Sequence, residues 1–238
     1  MKTMLKIVMM LVGVALIQGC LGRIVGSGDQ IPVTKGLEDF DRISISHGCE
    51  ATITRSDEFL VEVWVDDNVS NHLNIVKENR TLKIYLDPAY TYTRYTLEAE
   101  ITLPVLESVT LSGASVADIV GFDSEYNFDA SLSGASVLFG KLTANDFDLR
   151  LSGASQAEIS GTGDDLDIAA SGASILELGD LPVDDAEVVL SGGSEATIRL
   201  DGTLNAEASG GSELYYFGNP TLGNIRKSGG SRIERKEG

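Results

Sequence analysis

The phrase Ser-Gly-Ala/Gly-Ser occurs seven times and constrains the fold of this chain more than any other feature. The spacings between successive copies are 21, 19, 19, 20, 18 and 19 residues. Regular internal repeats indicate solenoids or propellers, and this period is too short for a pair of helices. It fits one coil of a β-solenoid. The copies begin at Ser112, Ser133, Ser152, Ser171, Ser191, Ser209 and Ser228.

The residues on both sides of the phrase alternate between apolar and polar types. Residues 115–119 read Ser-Val-Ala-Asp-Ile, and residues 147–151 read Phe-Asp-Leu-Arg-Leu. Such period-two alternation indicates strands with one buried face. Each repeat is therefore predicted to contain a strand, a small-residue corner, a second strand and a polar turn. Together these repeats predict an all-β fold.

The small corner residues have a physical reason. Coils of a solenoid stack about 4.8 Å apart, so only Gly and Ala let successive corners approach closely. The second Ser of each phrase is in phase with the buried positions and should hydrogen-bond a stacked neighbour or a corner backbone group. A serine nucleophile would need a base, but both histidines lie outside the repeats. These structural corner serines are Ser115, Ser136, Ser155, Ser174, Ser194, Ser212 and Ser231.

The first residues resemble an export signal rather than part of the fold. Lys2 and Lys6 precede a short apolar run, and the stretch ends at Cys20. A charged start followed by a short apolar region is typical of a signal peptide. The Ile-Gln-Gly-Cys ending resembles the lipobox of prokaryotic lipoproteins, which predicts lipidation of Cys20. Ordinary secretion and an uncleaved anchor are the alternatives. The predicted location is the cell envelope, with the lipid as the contact to the membrane.

The only other cysteine is predicted to be a buried, inert thiol. Residues 45–53 align with residues 111–119, which places Cys49 at the position of an inward corner serine. No His or Cys neighbours occur at metal-ligand spacing around it. We therefore expect neither a disulfide nor a metal at Cys49, and no cofactor is predicted.

The chain divides into four parts. Residues 1–19 are the predicted signal peptide and 20–36 a tether. Residues 37–104 are expected to form N-terminal coils of the same helix, with excursions at 66–75 and 87–95 and a hairpin turn at Asn79-Arg80. Residues 105–238 are expected to form the regular repeat region and a C-terminal cap.

The charge balance excludes one class of partner. Removing Lys2 and Lys6 from the 18 basic residues leaves 16 against 36 acidic residues, a formal charge of −20. Nucleic-acid binding requires basic patches on the protein, so we expect no nucleic-acid partner.

One acidic residue recurs on the predicted outer face of successive coils. Carboxylates stacked about 5 Å apart repel each other by less than about 1 kcal/mol per pair in a water-like dielectric. A solvated acidic face is therefore tolerable. Weak calcium binding is the alternative, because Ca²⁺ accepts several carboxylate oxygens. The series consists of Asp129, Asp148, Asp167 and Glu187, and a second series consists of Asp118, Glu158 and Glu177, interrupted by Phe139.

Aromatic residues cluster in two places. Tyr90, Tyr92 and Tyr95 form the candidate recognition patch, since exposed aromatic rings suit glycan or protein contacts. Residues 215–217 are interpreted as strand packing or as part of the end cap. The basic residues near the C-terminus predict a polar last coil that blocks end-to-end stacking, with a partner-binding basic edge as the alternative.

The chain resembles a known family. The residues that carry the resemblance are Phe-Asp-Arg-Ile-Ser-Ile at 40–45, Ala-Thr-Ile at 51–53, Arg-Thr-Leu-Lys-Ile at 80–84 and the Leu-Ser-Gly-Ala-Ser repeats. Across about residues 24–235 it is similar to the auto-transporter adhesin head, GIN-type domain of exported prokaryotic proteins. The resemblance implies a single-stranded right-handed parallel β-helix, here with coils of about 19 residues, and an exported location. It supplies no catalytic residues.

Three functions are compatible with these observations. The first is a non-enzymatic envelope lipoprotein that displays a β-helix for adhesion or for binding of a glycan or protein ligand. The second is a polysaccharide-active enzyme, by analogy of fold alone. The third is a structural component of the envelope. A screen of glycans for binding and for turnover distinguishes the first two.

Overall fold

The computed structural model describes residues 22–237, and nearly all regular structure in this range is β-strand. One short 3₁₀ turn spans Ser70–His72. The strands are β1 (Gly22–Val25), β2 (Gln30–Thr34), β3 (Arg42–Ile45), β4 (Glu50–Arg55), β5 (Leu60–Asp66), β6 (Leu73–Glu78), β7 (Thr81–Leu86), β8 (Tyr90–Thr93), β9 (Leu97–Leu103), β10 (Ser108–Leu111), β11 (Val116–Asp123), β12 (Phe128–Leu132), β13 (Val137–Thr143), β14 (Asp146–Leu151), β15 (Gln156–Thr162), β16 (Asp165–Ala170), β17 (Ile175–Val183), β18 (Asp185–Leu190), β19 (Glu195–Leu200), β20 (Thr203–Ala208), β21 (Glu213–Phe217), β22 (Thr221–Lys227) and β23 (Arg232–Arg235).

The strands form a β-solenoid with two long sheets, which confirms the predicted fold class. One sheet has ten strands and the other has eleven. From β10 onward the chain places one strand in each sheet per coil, and each strand pairs in parallel with its equivalent in the next coil. The coils are about 20 residues long and make about six turns. The repeat period read from the sequence is thus the length of one coil.

The core is a continuous stack of inward side chains between the two sheets. The same inward position of successive coils holds Phe128, Phe147, Leu166 and Ala186, which lie in register on neighbouring strands. All four are buried, and the two phenylalanine rings meet edge to face at 6.0 Å. Burial of apolar surface at roughly 25 cal/mol per Å² stabilises this stack along its whole length.

The corner serines satisfy their hydroxyls within their own corner. The Oγ of Ser174 donates a hydrogen bond to the carbonyl oxygen of Ser171 at 2.9 Å, and the same contact recurs in each Ser-Gly-Ala/Gly-Ser corner. Six of these inner serines are buried, namely Ser115, Ser136, Ser155, Ser174, Ser194 and Ser212. Ser231, in the last coil, is only partly buried.

The corners take two backbone conformations. In the first two stacked corners of this type, both central residues have positive φ: 64° at His47 and Gly48, and 64° and 66° at Gly113 and Ala114. From Gly134 onward only the first central residue is left-handed. The later corners are linked by short backbone hydrogen bonds, such as Ala173 N–H to Gly153 O at 2.7 Å. The corner column therefore changes its turn type after the second coil.

The order of the coils differs from the order of the sequence at the N-terminus. The coil built from β3 and β4 lies between two coils that follow it in the chain. β3 pairs with β10 on one side and with β7 on the other. β4 likewise pairs with β11 and β9. After the β3–β4 coil, the chain forms the β7–β9 coil on one side of it and then the β10–β11 coil on the other side.

Two strands of the N-terminal region correct the expectation that all strands of 37–104 continue the same helix. β5 runs antiparallel between β2 and β9, and β6 runs antiparallel to β7. The two-residue turn at Asn79-Arg80 explains the second case, because so short a turn can join only antiparallel strands. These strands close the lower end of the stack. β5 extends the eleven-stranded sheet at that end, and its residues Val61, Val63 and Val65 are buried.

The other end of the stack carries polar and charged residues. β22 and β23 are the edge strands, and nearly all of β22 is exposed. Lys227 occupies the position that Ala208 and Leu190 fill in the two preceding coils. Tyr216 of the adjacent coil is buried, while Tyr215 and Phe217 are partly exposed. Charged edge strands of this kind oppose pairing with another sheet.

Candidate functional site

The outer face of the ten-stranded sheet carries two rows of carboxylates. Asp129, Asp148, Asp167 and Glu187 lie in register on neighbouring strands. A second row, which the sequence analysis did not identify, lies at the beginning of the strands. It contains Asp146, Asp165 and Asp185. The signal for this row was an aspartate two positions before Asp148, Asp167 and Glu187, the last three members of the first row.

The two rows border an open groove of about 430 Å³. Burial and the neighbouring carboxylate of Asp148 raise the pKa of Asp129. Burial, followed by Glu187 and Asp148, raises the pKa of Asp167. Burial and the flanking Asp146 and Asp185 likewise raise the pKa of Asp165. The groove therefore holds negative charge that its own residues only partly compensate.

Among residues 22–237, no group of three or more His, Cys, Asp or Glu side chains is arranged to hold a metal ion. One carboxylate of the first row, Asp148, instead forms an ion pair with Arg150 at 2.6 Å. The second predicted series lies on the other sheet, where Asp118, Phe139 and Glu158 occupy one outward row. Glu177 continues that row.

The predicted recognition patch is part of a larger aromatic cluster. Tyr90, Tyr92 and Tyr95 lie in or beside β8, which replaces the tight corner of the lowest coil and pairs with β1. Both histidines of the described chain join them. The ring of His72 lies 4.6 Å from that of Tyr90, and the ring of His47 lies 6.4 Å from that of Tyr92, measured between centroids. We refer to these five residues as the aromatic patch.

Hydrogen bonds fix two of the three tyrosines. The Tyr95 hydroxyl donates to the carbonyl oxygen of His47. The Tyr92 hydroxyl donates to the carbonyl oxygen of Asp87 at 3.0 Å. Burial and the nearby Asp87 raise the pKa of Tyr92 to about 12, and burial lowers the pKa of His47. At neutral pH the Tyr92 and Tyr95 rings are thus uncharged, and their hydroxyl hydrogen bonds hold them in place.

Sequence reasoning could not place the histidines in this patch. His47 is in the corner of the β3–β4 coil, and its contact with Tyr92 arises only because the later coil lies beneath it. His72 reaches Tyr90 through the 3₁₀ turn that follows β5. The first contact depends on the non-sequential order of the coils and the second on the antiparallel pairing of β6 with β7, and neither leaves a periodic signal.

The inner corner serines and Cys49 are occupied or masked. The inner serine hydroxyls donate to backbone oxygens, as described above. Cys49 is fully buried, and burial, together with Glu50 and Glu98, raises the pKa of its thiol to about 12. A thiol with so high a pKa is not ionised at neutral pH and is a poor nucleophile.

The fold and these surfaces define a β-solenoid with a filled core and outward-facing acidic and aromatic surfaces. The family model described as "Putative auto-transporter adhesin, head GIN domain" matches residues 39–220. The chain belongs to this family. The search of curated proteins found no significant match.

Solved structures share the fold over most of the chain. A "putative adhesin" from Bacteroides fragilis has a TM-score of 0.82 at 19% identity, covering 90% of this chain and 100% of that one. A "Putative lipid binding protein" from Parabacteroides distasonis has a TM-score of 0.72 at 20% identity, with coverages of 90% and 100%. A "putative adhesin" from Parabacteroides merdae has a TM-score of 0.66 at 14% identity, with coverages of 90% and 99%. At such identities the likeness concerns the fold.

None of the helical structure in residues 22–237 is long and apolar enough to span a membrane.

Proposed function

We propose that this protein is a non-enzymatic envelope lipoprotein that presents its β-solenoid for adhesion to a glycan or protein ligand. Membership in a family described as an adhesin head supports the general role. The observation that carries the proposal is the aromatic patch, in which Tyr90 packs against His72 and Tyr92 packs against Tyr95 at 5.8 Å. Rings with apolar faces and polar tips suit glycan and protein contacts.

The chemistry of the other side chains supports binding rather than catalysis. The corner serines use their hydroxyl protons for backbone hydrogen bonds, and Cys49 is masked by burial. The carboxylate rows favour the enzyme alternative. Retaining glycosidases use two carboxyl groups about 5 to 5.5 Å apart, and strands about 4.8 Å apart give neighbouring residues a similar spacing. For this reason the binding screen must also measure hydrolysis.

The experiment is a glycan array and an envelope-protein pull-down with the mature chain, each repeated with Tyr90→Ala. Tyr90 is the best residue to change because the hydroxyls of Tyr92 and Tyr95 hold the backbone. Tyr126→Ala is the matched control, since Tyr126 is an exposed tyrosine elsewhere on the stack. We expect saturable binding without turnover, weakened at least about tenfold by Tyr90→Ala, equivalent to 1.4 kcal/mol, and unchanged by the control. Hydrolysis of any glycan would refute the proposal that the protein is not an enzyme.

Lipid anchoring through Cys20 is a separate part of the proposal, and Cys20 lies outside the described residues. The sequence Ile-Gln-Gly-Cys at 17–20 after a short apolar run supports it. Stable membrane attachment requires more than one acyl chain or a second signal. We expect labelled fatty acid to be incorporated into the wild-type chain and not into Cys20→Ser, which should appear in the soluble fraction. Equal labelling of both chains would refute this anchor.

A further inference from the structure

The only tryptophan of the chain lies on the outer face of the eleven-stranded sheet. Trp64 alternates along β5 with the buried residues Val63 and Val65, so its side chain points away from the core. Its strand partners are Pro32 on one side and Glu98 on the other. A partly exposed indole on a rigid sheet is a feature of binding surfaces, where its large ring gives contact area at a small entropic cost.

Trp64 forms one wall of an open cleft of about 470 Å³. The parallel register places Glu98, Glu50 and Val116 on successive strands beside the indole. Glu100 and Asp118 belong to the next outward row. The polar and apolar side chains that matter to the cleft are therefore Gln30, Glu50, Trp64, Glu98, Glu100, Val116 and Asp118.

The four carboxylates of this cleft have no cationic partner in the described chain. The ion pairs found in residues 22–237 involve other acidic residues, and no Lys, Arg or His lines the cleft. By contrast, the carboxylate of Glu107, outside the cleft, forms ion pairs with both Arg42 and Arg80. An indole surrounded by uncompensated carboxylates is complementary to a cation, since Trp is the most favourable ring for a cation–π contact.

We propose that the Trp64 cleft binds an oligosaccharide that carries free amino groups. The apolar face of a sugar ring would pack on the indole, and its ammonium group would lie among Glu50, Glu98 and Asp118. The sugar hydroxyls would donate to carboxylate oxygens and to the Gln30 amide oxygen. That oxygen is available because the Gln30 amide nitrogen already donates to Thr96 Oγ1 at 3.1 Å. The cleft shares no residue with the aromatic patch, so it is a second site, beyond the proposed function.

The intrinsic fluorescence of Trp64 can be used to measure binding in this cleft. Because it is the only tryptophan, its fluorescence reports on this cleft alone. The probe is a glucosamine tetramer, compared with the N-acetylated tetramer and with spermidine, each titrated into the full chain. We expect a saturable fluorescence change with the glucosamine tetramer, at least about tenfold weaker binding of the acetylated tetramer and of spermidine, and weaker binding at higher salt.

Two charge variants test the roles of the carboxylates without removing the reporter. Glu98→Gln and Asp118→Asn keep the side-chain shape and should each weaken the binding of the glucosamine tetramer about three- to tenfold. Glu158→Gln is the matched control, because Glu158 lies in the same outward row as Asp118, two coils away from it. Its affinity should stay within about twofold of the wild-type value.

Four results would overturn the proposal. They are no fluorescence change with the glucosamine tetramer, equal binding of the acetylated tetramer, equal binding of spermidine, and an equal loss in Glu158→Gln. Equal binding of the acetylated tetramer would exclude the ammonium contact. Equal binding of spermidine would mean that the sugar ring adds nothing. A failed proposal here leaves Tyr90-dependent binding untouched, so the two sites are tested separately.

Discussion

A β-carbon placed on Gly172 would lie 2.3 Å from the carbonyl oxygen of Gly153 in the coil below. The φ angle of Gly172 is also positive, at 79°. Two separate constraints therefore require glycine at this corner, one of space and one of backbone conformation. The next residue of the corner is under neither constraint. In a later corner, Gly193 would place its β-carbon 3.8 Å from the nearest atom.

Gly172→Ala should lower the free energy of unfolding by at least about 2 kcal/mol, because the left-handed backbone and the contact with Gly153 both penalise a β-carbon. Urea denaturation measures the change. Gly193→Ala is the control and should stay within about 1 kcal/mol of the wild type or be slightly more stable. Equal stabilities of the two variants would contradict the stacking of the corners.

Arg80 should stabilise the non-sequential order of the coils. It lies in the turn after β6 and forms ion pairs with the buried Asp41 and, at 3.0 Å, with Glu107. These three residues belong to three different coils. Arg80→Ala should cost about 1 to 2 kcal/mol of unfolding free energy, since it leaves the buried Asp41 carboxylate with a weaker partner.

The control for this prediction is Arg226→Ala, which removes an exposed pair with Glu207 at 3.9 Å. Exposed pairs contribute little, and the loss should be below about 0.5 kcal/mol. If both arginine variants lost the same stability in urea, the contact between the three coils would have no special role.

The carboxylate rows predict a pH-dependent effect of Asp167→Asn. The pKa of Asp167 is raised by burial and by Glu187 and Asp148. A raised carboxyl pKa means that ionisation opposes folding, so the stability it contributes is present at acid pH and is lost as the pH rises through the folded-state pKa. The variant should therefore be more stable than the wild type near pH 7. The difference should shrink as the pH falls toward 3.8, the ordinary value for the group.

Thermal unfolding at a series of pH values measures this difference. Glu125→Gln, a change at an exposed loop position, should not shift the midpoint at any of them. Added calcium should raise the wild-type midpoint no more than sodium chloride of equal ionic strength, because both act here by screening. A larger calcium effect would indicate a bound ion, and a variant less stable than the wild type at neutral pH would contradict the repulsion.

Cys49 should react slowly with a thiol reagent in the native protein. The side chain is fully buried, and its pKa is raised to about 12. In a Cys20→Ser chain, Cys49 is the only thiol, so the reaction rate reports on this site. We expect the rate to increase by orders of magnitude in denaturant, because unfolding restores both access and ionisation. Rapid modification of the native chain would show that the β3–β4 corner opens freely.

The regular region could be predicted from the sequence because its contacts are periodic. The alternation around Ser155 and Ser174, and the glycine before each, specify inward and outward faces coil by coil. The N-terminal region has no such signal. Nothing local in β3 indicates that it pairs with both β7 and β10, which lie on either side of it in the stack.

The candidate binding surfaces also divide into one that the repeat period predicted and one that it did not. The Asp129–Asp148 row followed from the repeat period, since equivalent positions of successive coils must be neighbours. The Trp64 cleft could not be predicted from the repeat period. Trp64 lies beside Glu98 because of an antiparallel strand pairing that the period does not describe. Single, long-range pairings of this kind carry no recurring pattern, so sequence reasoning alone misses the sites they create.

The position of the β3–β4 coil restricts how the chain can assemble. Its strands each keep one free edge until β10 and β11 have been made, so the first coil to be synthesised gains its second neighbour only after the β7–β9 coil has formed. A chain that emerges N-terminus first must keep the second edge of β4 unpaired for about sixty residues of further synthesis, from the end of β4 to the start of β11. Once that lower end is sealed, new coils can be added only toward the C-terminus. Lengthening or shortening of the rod by gain or loss of repeats should therefore occur above β10, without disturbing the aromatic patch or the Trp64 cleft.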